Sequence, residues 1–110
     1  MGLFDGLNKR ERRAKKAELE SLVVDSVCSD LMPKTKYQIM RYIQNYGWNV
    51  RPGTLERYAI RLLDYTTYRE IHAADGGCII RPYGAHASTK LFLPKDPNLK
   101  ERAVRNMSRY

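Results

Sequence analysis

The spacing of apolar residues changes at Asp64, and that change limits what the chain can fold into. Upstream, apolar residues recur at three- and four-residue steps, the period of an amphipathic helix. Downstream, short runs rich in β-branched and aromatic residues are separated by turn residues, the mark of strands. Helices first and a small sheet afterwards predict an α+β fold that is mainly helical.

Breakers divide the first part into three helices. Asn8 can cap the first, with Glu11 three residues on as in a capping box. Leu19, Leu22, Val23, Val27 and Leu31 carry its stripe over residues 9–31, and Pro33 closes it. The second begins near Thr35, turns Tyr37, Ile39, Met40 and Ile43 inward, and stops at Gly47, a favoured C′ residue. After the connector "WNVRPG" the third starts near Pro52 or Gly53, with Thr54 as a cap and Leu55, Ala59, Leu62 and Leu63 as its stripe. Convergence of the three stripes should bury Leu22, Val27, Ile43, Leu55, Ala59 and Leu62.

Three strands are expected next: "YREIHA" (68–73), "CIIRPY" (78–83) after the hairpin signal "DGG", and "TKLFL" (89–93) after the loop "GAHAS". Pro82 makes the end of the middle strand an edge. Asp96 then caps a short last helix with Pro97 at its first position and Leu99, Ala103 and Met107 on one face. The expected division is a flexible start at 1–8, a domain at 9–95 with a basic first helix, and a helical tail at 96–110. A length of 110 residues suits one domain.

The charge is the unusual part of the composition. Twenty Lys and Arg against twelve Asp and Glu give +8, which implies a polyanionic partner. Six of the cations, Lys9, Arg10, Arg12, Arg13, Lys15 and Lys16, fall within one stretch that holds a single acid. Such a block opposes the positive end of a helix dipole, so its first turns fray unless an anion offsets the repulsion. The run is expected to contact phosphates without regard to sequence.

Other classes find little support. Cys28 and Cys78 form no Cys-x-x-Cys, and His72 and His86 complete no zinc spacing, so neither a metal nor any other cofactor is expected. No serine or histidine sits in a catalytic motif, and "GG" at 76–77 is a turn, so the chain is read as no enzyme. No run of about 20 apolar residues is present and "MGLFDGL" has no signal-peptide core, so no membrane is expected. Gly6 stands where a myristoylation motif wants Ser or Thr. These features predict an intracellular protein, at the nucleoid if bound to DNA, or in a virion or host cytoplasm if viral.

The order of elements is that of a three-helix winged helix-turn-helix with a small antiparallel wing sheet and a short C-terminal helix. Within it, "KYQIMRYIQNYGWNVRPGTLERYAIRLL" resembles the helix-turn-helix of PadR-type transcription regulators at Tyr37, Ile39, Gly53, Thr54, Leu55, Leu62 and Leu63. The resemblance covers residues 36–63 and implies a small regulator of double-stranded DNA. The chain departs from it in a longer wing and a short final helix.

Thr54, Arg57, Tyr58 and Arg61 share the face of the third helix opposite its apolar stripe, so helix 53–65 is expected to read the major groove through them. Arg51 in the turn suits a phosphate. Arg81, His86 and Lys90 are the wing candidates. Glu56 and Asp64 are the acids that could pair with the arginines. The resemblance implies a homodimer joined by the first and last helices, through Leu19, Leu22 and Val23 and through Leu99, Ala103 and Met107. The competing expectation is a non-enzymatic interaction or structural protein of a virion, nucleoprotein or polymerase assembly, using the same scaffold and its basic helix.

Overall fold

A computed structural model describes residue 4, residues 6–70 and residues 88–107. Among the described residues the chain is mainly helical, with one small antiparallel sheet. The elements are α1 (Lys9–Cys28), α2 (Lys36–Gln44), α3 (Pro52–Leu62), β1 (Asp64–Thr67), β2 (Lys90–Leu93) and α4 (Pro97–Asn106).

Local chemistry sets the helix ends. The Asn8 side chain accepts from the Glu11 amide at 2.8 Å. Thr35 and Gln38 form a reciprocal capping box at the start of α2, with bonds of 2.9 and 3.3 Å. Past the other end of α2, Gly47 takes φ +87°. There the Trp48 amide donates to the Ile43 carbonyl at 3.2 Å, and the Gly47 amide to Gln44 at 3.0 Å. This is a Schellman closure, and it needs the left-handed residue that glycine supplies. Pro52 opens α3, whose N-cap Arg51 makes no side-chain cap bond. Thr54 therefore does not cap it, because the helix begins two residues earlier at a proline that needs no donor.

One core joins α1, α2 and α3 to the sheet. Leu19, Val23 and Val27 meet Ile39 and Ile43, Val50, then Leu55, Ala59 and Leu63, with Phe92 of β2 closing one end. Two expected core residues are displaced. Leu22 and Leu62 are half-buried, while Leu63, the C-cap residue of α3, is 1% exposed. The chain turns extended at Leu63, so its side chain swings inward as Leu62 moves to the rim. Tyr37 is 64% exposed because Ile39 and Ile43 already supply the inward face of α2.

The strand pairing is long-range. β1 runs antiparallel to β2, from Asp64 opposite Leu93 to Thr67 opposite Lys90. On the other side of β2, Lys34 and Phe92 exchange two backbone bonds of 3.1 and 2.7 Å. β2 thus lies between Lys34 and β1. The expected strand at 68–73 is corrected at its start, since residues 68–70 are helical. There the Glu70 amide bonds to the Thr67 hydroxyl at 3.2 Å and ends the strand. Residues 71–73, the strand at 78–83 and the DGG turn lie outside the described residues.

α4 begins at Asp96, whose carboxylate accepts from the Asn98 and Leu99 amides at 2.8 and 3.2 Å. It packs on its own domain: Met107 and Leu91 form a second small core with Met32, Tyr68 and Val104. The Asn106 side-chain Nδ2 donates to the Leu31 carbonyl at 2.9 Å, in a turn where Leu31 itself takes φ +49°. The apolar stripes expected to join two copies are covered inside one chain. Leu19, Val23, Ala103 and Met107 are all 0% exposed, and Leu22 and Leu99 are half-buried.

Candidate nucleic-acid interface

The outward side of α3 carries Arg51, Gly53, Arg57, Ile60 and Arg61, all exposed, flanked by half-buried Thr54 and Tyr58. Arg57 is held only loosely, by a 3.5 Å contact from its guanidinium to the Thr54 hydroxyl. Arg61 is engaged on two sides. It pairs with Glu20 of α1 at 3.1 Å and lies 5.2 Å from the centre of the Tyr58 ring. Tyr58 packs against the core, so its ring is a platform for Arg61 rather than a free reader.

Lys16 of α1 joins this face. With Arg57, Tyr58 and Arg61 it lines an open groove of about 290 Å³. The fold thus brings part of the basic run beside the outward arginines, 41 and 45 residues away in sequence, a neighbourhood that periodicity alone could not show. All six cations of the run are exposed, and α1 buries nothing before Leu19. Its first half stands clear of the core in a molecule 51 Å long and 25 by 21 Å across.

The other flank of α3 is neutralised. Glu56 accepts from Lys90 at 3.2 Å and lies 3.7 Å from Lys36, so its partners are lysines rather than the expected arginines. The hydrogen bond from Lys90, helped by Lys36, holds the Glu56 carboxyl below its ordinary pKa. Lys90 also lies 5.5 Å from the centre of the Tyr65 ring, so this wing candidate is anchored in the sheet region. Asp64 is likewise held below its ordinary pKa, first by a hydrogen bond from Lys100 and then by the Tyr65 amide. Arg81 and His86 lie outside the described residues.

Three features were not anticipated from sequence. Lys36 and Tyr37 sit exposed or half-exposed at the start of α2, with the ammonium 5.5 Å from the ring centre. Lys95 donates to the Arg61 carbonyl at 2.6 Å, placing a cation at the negative end of α3. Phe4 meets Trp48 edge-on at 6.4 Å, and the Trp48 indole donates to Glu18 at 3.3 Å.

Among the described residues, no three His, Cys, Asp or Glu side chains gather as metal ligands would. None of their helices is long and apolar enough to cross a membrane. Cys28 is a free, half-buried thiol whose pKa is raised, mainly by burial and then by Asp25, the opposite of an activated nucleophile. No family model, curated protein or solved structure matches this chain.

Proposed function

We propose that this chain is a winged helix-turn-helix protein that binds double-stranded DNA, with α3 in the major groove. A strand lying between a residue just before α2 and the strand just after α3 supports the winged-helix reading. The observation that carries the DNA reading is Arg57: exposed, loosely held, and in one groove with Lys16 and Arg61. α4 packs on β2 and the turn around Met32, leaving the arginine face of α3 open. In this arrangement Arg57 reaches base edges while Arg51 and Lys16 contact phosphates. The PadR-like pattern at 36–63 is part of the same proposal and gives it a biological setting, transcription regulation.

Selection from a random duplex library at stated salt tests this. A preferred site should emerge. Arg57→Ala should relax it at one base pair, by about 1–3 kcal/mol, while Arg51→Ala should weaken all sequences alike. Uniform loss from both would make Arg57 a phosphate contact.

A second reading, a nucleoprotein or polymerase-associated structural protein, is favoured by one observation. The first half of α1 projects six cations beyond the core, more than α3 presents. Tight binding with no sequence preference in the same selection would support it.

A further inference from the structure

We infer that the first half of α1 is a one-sided phosphate rail. Lys9, Arg12, Arg13 and Lys16 follow the backbone of the DNA duplex that α3 engages, while Arg10 and Lys15 stay off it. The inference rests on the DNA reading above and assigns its cations individually. At about 100° per residue, the four rail residues fall within an arc of about 100°. Of the four buried residues of α1, Val23 and Val27 lie on the same arc further along the helix, and Leu19 and Ser26 lie about 20° and 40° beyond its Arg12 edge. The Arg12 and Lys16 edge of the rail therefore points to the side on which α1 meets the rest of the domain, and it overhangs that side where the core stops.

Two neighbouring lysines show the division. Lys16 lines the groove with Arg57 and Arg61. Lys15, one step round the helix, pairs with Glu18 at 3.7 Å and lines a different groove with Phe4, Leu7 and Trp48. Lys16 thus links the rail to the arginine side of α3, while Lys15 belongs to the aromatic side. From Lys9 to Lys16 the helix rises about 10 Å, the axial length of about three base pairs. Among the described residues none of the four rail cations is in an ion pair: Glu11 and Glu18 lie on other sides of the helix, and Glu20, one turn beyond Lys16 on the same arc, is engaged with Arg61, while the Arg12 side chain donates to the Leu7 carbonyl at 3.0 Å. Four like charges on exposed turns at the positive end of the dipole oppose helix formation, so an aligned row of phosphates should also firm up the helix.

The test compares two variants of the full chain on a short random-sequence DNA duplex. One replaces Lys9, Arg12, Arg13 and Lys16 by Gln; the other replaces Arg10 and Lys15 by Gln. All six residues are exposed, and Gln is a good helix former, so neither variant should fall below the parent's thermal midpoint. Binding is measured between about 50 and 200 mM salt. The rail variant should lose about 0.9 of logarithmic salt slope per contact, roughly 3.6 in all, and the off-rail variant less than one. Circular dichroism of the parent should gain helical signal on adding the duplex, and the rail variant should gain less. Equal loss per cation in both variants would overturn the rail while leaving DNA binding standing. Failure of the parent to bind any duplex would overturn the DNA reading and the rail with it.

Discussion

Arg61 and Glu20 form a contact that works against the proposed interface. The pair is partly exposed, at 52% and 28% of the two side chains, so it contributes only about 0.2–1 kcal/mol to the fold. Its larger effect would be on binding, because Glu20 presents a negative charge beside a groove meant for phosphates. Glu20→Gln should leave the thermal midpoint nearly unchanged and tighten duplex binding, by up to about fivefold if the freed arginine contacts DNA. Unchanged affinity, measured by anisotropy, would place Arg61 outside the interface. In the core, Leu63→Ala should cost about 2–5 kcal/mol, and Leu62→Ala clearly less, since only Leu63 is fully enclosed. The sequence pattern placed both leucines on one stripe. It could not separate them, because what divides them is the turn into β1, where the helical angle between consecutive residues no longer applies.

The elements differ in how much of their cause is local. α2 carries its own start and stop signals. Gly47 has open space where a Cβ would stand, so Gly47→Ala should destabilise by about 1–2 kcal/mol through backbone strain alone. Gly47→Asn should cost less, which chemical denaturation can resolve. The same self-sufficiency explains why α2, the capped start of α1 and the Asp96–Pro97 start of α4 were legible in sequence. β1 was not. "DYTT" is too short and too close to α3 to stand out, and its partners begin at Lys90, across a long connection. Strand identity there comes from Phe92 and Leu93, and a spacing rule sees only neighbours. The Lys36–Glu56–Lys90 contact ties three elements and also gives a pH response. Glu56 and Asp64 have folded pKa values below their ordinary ones, so the stability they confer is fully present above the ordinary value. It is lost as pH falls through the lowered one. A thermal midpoint followed through the acid range should fall across that window. Glu56→Gln with Asp64→Asn should flatten the decline.

For the whole molecule, the distribution of charge matters more than its sum. A net +8 could have been spread evenly; instead the first half of α1 and the outer side of α3 hold cations with few acids between them. That side was foreseeable only as two separate patches, because their meeting at Lys16 depends on how α1 crosses α3. The apolar surface is distributed differently: most of the two stripes on α1 and α4 expected to join two copies is used inside one chain. Sedimentation at micromolar concentration is accordingly expected to give a monomer. A dimer would have to use other residues, and truncation at Lys95 would then expose the small core around Leu91 and Met107 rather than separate two subunits.

The paired backbone bonds between Lys34 and Phe92 make two protons into reporters on the assembly of the molecule. Neither amide can open to solvent unless the approach to α2 parts from β2, and that parting pulls Phe92 from among the three helices. In deuterated water these two amides should therefore exchange together and slowly, near the rate set by global unfolding. The Leu7 amide, bonded only within its own short turn at 3.3 Å, should exchange long before them.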